Sequence, residues 1–452
     1  MKRTCSLCLL LIAGICGFAM QSYLTTPSAA VFVPKGFQPE QHLPSPMFVR
    51  ELAPIGKVPT DWKIKPRYSK TDSTTICQFS VGEDVDLYGT GEIFGTLRRN
   101  GETEGFWNRD NGAYAHENGK RLYQTHPWVL GVRPDGSAFG ILADNTWKSR
   151  LTTDSVILFE SYGPAFRTVV IEGKDPLDVL SQLTQLIGTM PMPPLWSLGY
   201  QQCRFSYYPE ARVREIADEF RTRQIPCDVI WMDIHYMDGY RIFTFNPDRF
   251  PNPKATNDYL HSKGYKTVYM IDPAPKAEKG YFIDDQLMAN GYYVRTADGE
   301  PFVGKVWPGE CHFPDFTRPE VRTWWSGLYK DFMALGIDGV WNDMNEPAIF
   351  DGPDFSMPTD NVHLGGEGLA EGPHLRYHNQ YGYNMVKASY AGIRNANPTL
   401  RPFVLSRANC LGGQRYAATW TGDNSSRWEH MTGSIPMTLN MGLTVQAMNG
   451  PD

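Results

Sequence analysis

The sequence predicts an α/β protein in two parts: an N-terminal antiparallel β-sandwich across residues 31–190, then a (β/α)8-type barrel across residues 191–452. Three observations carry this expectation. Up to about residue 190, short apolar runs such as 137–142 and 154–159 are punctuated by Gly, Pro, Asn and Asp, the rhythm of short strands joined by tight turns. Met190-Pro-Met-Pro-Pro-Leu195 then interrupts the chain as a linker. Beyond it, strand-like and helix-like segments alternate, and a repeated βα unit implies a parallel sheet.

Lys2 and Arg3 precede an apolar run from Cys5 to Met20, and Ser28-Ala29-Ala30 offers small residues for cleavage. Residues 1–30 are therefore expected to be a signal peptide of a secreted or periplasmic protein. An uncleaved N-terminal anchor, the one membrane contact the sequence offers, is the alternative. Three of the eight Cys fall in this leader. The other five (Cys77, Cys203, Cys227, Cys311 and Cys410) are odd in number and form no Cys-x-x-Cys pair. That argues against a disulfide framework or a structural zinc and for buried small hydrophobes. The net charge of −6 gives no basic footprint for nucleic acid.

In the sandwich, Tyr88-Gly-Thr-Gly-Glu92 reads as a turn, because glycines at 89, 91 and 95 miss the dinucleotide-loop spacing. Trp107-Asn-Arg-Asp110 places an aromatic and an acid on a loop. In the barrel, residues 195–201 read as the first strand. A helix over 209–224 follows, with Val213, Ile216, Ala217 and Phe220 on one face and Pro209 at its start. Strands are expected at 228–233 and 267–272, with a short helix closing at 260–264 between them. A helix over 319–335 leads into the strand of residues 337–343, and later strands are expected at 402–407, 417–423 and 443–448. Six of these seven strands end near an ionisable group: Asp233, Asp272, Asp343, Arg407, Asp423 and Asp452. Strand ends of this kind build the catalytic face of a parallel barrel.

No metal cluster, Gly-x-Ser-x-Gly elbow or Walker loop is present. What remains is a set of aspartates among Trp and Arg, in a chain that is 13% aromatic. Two carboxylates facing each other across a sugar linkage are the requirement of glycoside hydrolysis. One must be ionised and the other must hold a proton near neutral pH. Asp343 and Asp423 are the best pair. The competing structural readings are that Asp343 pairs with an Arg or caps a helix, and that Asp423 is an N-cap.

The string Trp341-Asn-Asp-Met-Asn-Glu-Pro347 closely resembles the nucleophile signature of glycoside hydrolase family 31, typified by α-glucosidases. Further resemblances follow in the family's order: Trp231-Met-Asp-Ile234, Gly304-Lys-Val-Trp-Pro-Gly309, Leu405-Ser-Arg407 and Trp420-Thr-Gly-Asp-Asn424. The resemblance implies a retaining, exo-acting enzyme that removes terminal glucose from α-glucoside oligosaccharides and needs no cofactor or metal. It implies Asp343 as nucleophile, Asp423 as general acid then base, and Glu346 as support for the nucleophile loop. It also implies that Asp233, Arg407 and Asp452 bind sugar hydroxyls, that Trp307, Trp341, Met344 and Trp420 form walls, and that Ile271 lines the floor. Asp110 would reach the neighbouring sugar. A retaining pair places its carboxyl groups about 5–5.5 Å apart.

Two departures stand out. His235 occupies a position that is often acidic in the family. The chain stops at Asp452, so the barrel is expected to lack its last strand, with the His that strand carries, and the C-terminal β domains; a separate C-terminal chain is then an expected partner. An α-xylosidase or transglucosidase on the same scaffold, or a truncated inactive remnant, are the alternatives.

Overall fold

The computed structural model describes residues 20–452. Most of the expected leader lies outside these residues; residues 20–30 lie within them. Met20–Thr26 and Ala29–Pro34 form an antiparallel hairpin at one edge of a six-stranded sheet. Ala29 and Ala30 are fully buried, one facing each side of the sheet. A strand covered on both faces must be apolar at nearly every position, as Ala29–Pro34 is. No helix among the described residues is long and apolar enough to cross a membrane.

The six-stranded sheet continues through Thr168–Gly173, Ala138–Ala143, Trp128–Val132 and Asp86–Gly89, all antiparallel. A five-stranded antiparallel sheet packs against it, in the order Arg67–Lys70, Thr75–Ser80, Val156–Ser161, Ser149–Thr153 and Glu102–Phe106. Phe32, Phe79, Leu87, Phe139, Ile141 and Phe159 fill the space between the sheets. The outer face of the larger sheet is covered by the helix Pro176–Ile187, which the sequence reading did not separate from the strands. Asp175 caps it by accepting from Asp178 N at 2.8 Å. Gly140 is required beneath this helix, since a Cβ there would lie 1.8 Å from the Trp128 ring.

The second part is a curled parallel sheet of seven strands: Gln201–Gln202, Val229–Met232, Lys266–Ile271, Gly339–Asn342, Val404–Ser406, Ala418–Trp420 and Asn449–Gly450. Residues 195–201 are not the first strand. Leu195–Leu198 is a 3-10 helix, and pairing starts at Gln201. Residues 443–448 are not the last: they form the turn that ends the helix Trp428–Gly442 and lead into Asn449–Gly450. Pro436 lies inside that helix and masks its pattern in the sequence. The helices Glu210–Thr222, Pro253–Ser262 and Pro319–Met333 match the expected positions. Tyr381–Ala396 is an added helix, packed on Pro319–Met333 through Gly392, where a Cβ would meet Ser326 O at 2.7 Å. Trp325, at 0% exposure, anchors this layer. Of the five described cysteines four are buried, but Cys203 is exposed just after the first barrel strand.

Candidate active site

Gly339–Asn342 delivers Asp343 to the C-terminal rim of the parallel sheet, and Asp343 N donates to Ile271 O of the neighbouring strand at 3.2 Å. Met344 then adopts φ 55°, a left-handed conformation that a non-glycine residue takes only under constraint. This turn brings both Asp343 and Glu346 against one buried side chain, Arg407, at the end of Val404–Ser406. Asn345 holds the turn, accepting from Ala408 N at 3.0 Å and donating to Ser406 Oγ at 2.9 Å.

Arg407, 2% exposed, is the hub of the site. Its Nε and Nη2 donate to the two oxygens of Glu346 at 2.9 and 2.8 Å, a bidentate pair. Nε also lies 3.1 Å from Asp343 Oδ1, and Nη1 donates to Asp423 Oδ2 at 3.2 Å. Nη2 reaches Met344 Sδ at 3.0 Å and Asp110 Oδ2 at 3.6 Å. Burial works against the guanidinium charge, yet Asp343, Glu346, Asp110 and Asp423 hold it protonated above its ordinary range. Burial raises Asp343 to about 6 and Glu346 to about 7, with Arg407 opposing in both cases. Burial raises Asp233 to about 7, helped by the charges of Asp343, Asp423 and Asp452, while its Oδ1 accepts from Ile234 N at 2.6 Å.

The pairing of Asp343 with an arginine is thus real and coexists with its place at the C-terminal rim of the parallel sheet. The capping alternative for Asp423 fails, because the next helix starts at Trp428 with Arg427 before it. The Asp423 side chain is 55% exposed and its backbone is held from the sandwich. Ala113 N donates to Asp423 O at 2.6 Å, Asp423 N donates to Tyr123 Oη at 3.2 Å, and Tyr114 Oη donates to Thr421 O at 2.7 Å. The Tyr123 ring also lies 5.0 Å beneath the guanidinium of Arg407.

Trp341 meets Trp231 and Trp420 edge to face at 5.9 and 5.2 Å, forming an aromatic wall beside the carboxylates. Trp307 stands apart, at the turn of the hairpin Val303–Val306 and Gly309–His312. It joins a rim of Phe205, Tyr240 and Phe350. His235 belongs to the same rim, stacked on Tyr208 at 4.9 Å with Nδ1 2.7 Å from Ser206 Oγ. Ile271 has no exposed surface, so it backs the site instead of lining its floor. Asp452, exposed, follows the seventh strand.

Two acids lie behind this face that the sequence reading gave no role. Asp272 follows Ile271, and burial together with Asp343 pushes its carboxyl well up; neither oxygen has a hydrogen-bond partner among the described residues. Glu92 is fully buried and is pushed well up by burial and then by Glu346. The Tyr88–Glu92 stretch ends the strand Asp86–Gly89 and then turns, with Gly89, Thr90 and Gly91 all at positive φ. The position of Glu92 behind Glu346 follows from assembly of the two domains, for which the local sequence carries no signal.

Residues 190–452 match the Glycosyl hydrolases family 31 TIM-barrel domain, more than half of the chain. The chain belongs to glycosyl hydrolase family 31. Residues 36–151 match the Glycosyl hydrolase 31 N-terminal galactose mutarotase-like domain, which places the sandwich in the same family. The chain is 44% identical over 383 residues to Alpha-glucosidase 2 of Bacillus thermoamyloliquefaciens, covering 83% of this chain and 48% of that protein. It is 36% identical over 419 residues to Neutral alpha-glucosidase AB of Homo sapiens, covering 84% and 44%. A solved family 31 alpha-glucosidase from Bacteroides thetaiotaomicron superposes with a TM-score of 0.77 at 54% identity, covering 85% of this chain and 63% of that one. The chain spans about half the length of the curated relatives it matches.

Proposed function

We propose that this family 31 chain carries the catalytic centre of a retaining exo-α-glucosidase acting on α-glucoside oligosaccharides. The observation that supports it best is the convergence of Asp343, Asp423 and Asp110 on the one guanidinium of Arg407. In this reading the ionised Asp343 attacks the anomeric carbon as Asp423 gives its proton to the leaving glycosidic oxygen, so one C–O bond forms as another breaks. Asp423, now ionised, takes a proton from water, the water oxygen bonds to the anomeric carbon, and Asp343 leaves. Arg407 keeps Asp343 anionic against its burial, and Glu346 holds Arg407 in place. Asp233 and Asp452 bind hydroxyls of the cleaved glucose, and Trp341, Met344 and Trp420 wall it. The named relatives are α-glucosidases, which favours glucosides over the xyloside and transglucosidase readings. The basic and apolar N-terminal leader supports export.

A 5-fluoro-α-glucosyl fluoride, which slows release of the glycosyl-enzyme, tests this. Mass spectrometry of the peptic digest should find one added fluoroglucosyl group, on the peptide holding Asp343. No label, or a label elsewhere, overturns the assignment. Paired p-nitrophenyl α-glucoside and α-xyloside rates separate glucosidase from xylosidase.

A further inference from the structure

Away from Arg407, three histidines stand in a row in the interior. His363, His374 and His378 have no exposed surface. His363 Nδ1 is 2.9 Å from Asp315 Oδ1, and Asp315 is itself fully buried. His363 Nε2 is 2.9 Å from His374 Nδ1, and His374 Nε2 is 2.8 Å from His378 Nδ1. At the far end His378 Nε2 is 2.6 Å from the main-chain oxygen of Asn108. That oxygen belongs to the sandwich loop that, two residues on, presents Asp110 to Arg407. The Trp107 ring lies flat on His378, centroids 3.7 Å apart at 12°. Asn379, next to His378, accepts from Asn108 N at 3.0 Å and donates to Phe106 O at 3.1 Å.

The row can be counted in protons. Both ends are acceptors: the Asp315 carboxylate and a carbonyl. Four hydrogen bonds in line need four N–H protons, and three neutral imidazoles carry three. Ser356 Oγ, 3.0 Å from His378 Nδ1, does not change the count. If its hydroxyl replaced a ring proton there, two nitrogen lone pairs would face each other at 2.8 Å. A protonated Asp315 is also disfavoured: its Oδ1 accepts from Thr317 Oγ1 at 2.6 Å and its Oδ2 from Leu364 N at 2.7 Å.

We propose that His363, His374 and His378 form a proton-sharing strut that holds one proton more than three neutral rings, and that this strut positions the Asp110 loop on the barrel. The extra proton resides on His363, against Asp315. Burial opposes the Asp315 charge, but His363 holds the carboxyl below its usual range. Burial drives His374 well down, and His378 down to about 3, so both are neutral. The other groups facing the row agree. Lys148, above Trp107, and Arg121 disfavour charge at the His378 end. Tyr377 and Tyr381, beside His363, are raised and neutral, and Glu320 opens the helix next to Asp315. His374 and His378 both accept at Nδ1 and donate from Nε2, so donation runs outward from His363, through the two rings to Asn108 on one side and directly to Asp315 on the other.

Nitrogen-15 labelling of histidine in the full chain, read by two-bond 1H–15N spectra at pH 7.5, tests the count without any substrate. The expected result among His363, His374 and His378 is one ring protonated at both nitrogens and two protonated at Nε2 alone. Neutral rings at all three of these positions overturn the proposal. Asp315→Asn, whose amide can donate to His363 Nδ1, should remove that single proton and leave the other two rings unchanged; an unchanged His363 also overturns it. The positioning part rests on the α-glucosidase reading and has its own test. His378→Leu should raise KM for a disaccharide about tenfold or more with a smaller change in kcat, from loss of one buried hydrogen bond at the loop. His378→Gln, which keeps a donor at that reach, should restore most of it. Equal KM in all three proteins overturns the positioning role, while an inactive parent refutes the functional reading and leaves the proton count to the spectra.

Discussion

Replacing Arg407 by methionine removes the one cation shared by Asp343, Glu346, Asp423 and Asp110. The contacts are not equal. Glu346 is buried and bonded through both oxygens, and Asp343 is nearly as enclosed. Asp423 is more than half exposed, so its pair contributes little to stability. Removing one partner of a buried pair costs about 3–5 kcal/mol, because the other charge is left without compensation. That is a large share of the roughly 5–15 kcal/mol that holds a protein folded. The loss must also depend on pH. Glu346 and Asp343 titrate in the folded parent at about 7 and about 6, above their unfolded values. A carboxyl raised in this way favours folding fully below its unfolded pKa, and the benefit is lost as pH rises through the folded value. Without Arg407 both folded values rise further. At pH 5.5 both acids are largely neutral in parent and variant, so the charge penalty nearly vanishes. At pH 8.5 the parent is ionised, and the variant must either bury bare charge or hold protons against the solvent. Urea unfolding at the two pH values should therefore show the full loss at pH 8.5 and less than about half of it at pH 5.5. A loss independent of pH, or one below about 1 kcal/mol at pH 8.5, would refute the view of Arg407 as the charge-balancing hub.

Two further outcomes follow from the same acids. In the α-glucosidase reading, kcat/KM should fall about tenfold per pH unit on the acid side, with the limb centred near the value of about 6 of Asp343; a limb centred below pH 4.5 would show that Asp343 is not the group that must ionise. Asp233→Asn keeps an acceptor for Ile234 N and removes a desolvated charge that sits near Asp343 and Asp423. Since folded Asp233 titrates at about 7 and its unfolded carboxyl near 4, the gain of the variant over the parent should be larger at pH 8.5 than at pH 5 by roughly 1–3 kcal/mol, and in the α-glucosidase reading sugar binding is lost; an equal gain at both pH values would remove the burial argument.

Much of the site was legible because its motifs are local. Trp341 to Pro347 reads as an apolar strand ending in acids, and the fold puts those acids at a strand end. Arg407 and Asp423 likewise follow short apolar runs, so the alternation of apolar strand and charged end survives boundary shifts of up to three residues. What failed did so for identifiable reasons. Residues 195–198 are apolar but lack a neighbour to pair with, and the exposed Leu195 and Leu198 sit in a 3-10 turn. Pro436 hid a helix. Glu92, Tyr123 and the docking of the histidine row on the sandwich were out of reach of any local pattern, since each meets its partner from a segment far away in the chain. His378 and Asn108, for example, are 270 residues apart.

The backbone of Asp423 is fastened to Ala113 and Tyr123, and neither belongs to the barrel. This has a practical side for anyone recombining relatives of this chain. A chimera that joined this barrel to a foreign sandwich would inherit the motif of the acid but not its footing, and a library of loop variants at 420–427 would be filtered by residues 111–123 before any sugar was bound. The junction of such a hybrid is better placed ahead of the whole sandwich than at the proline-rich linker, although the linker looks the more natural place to cut.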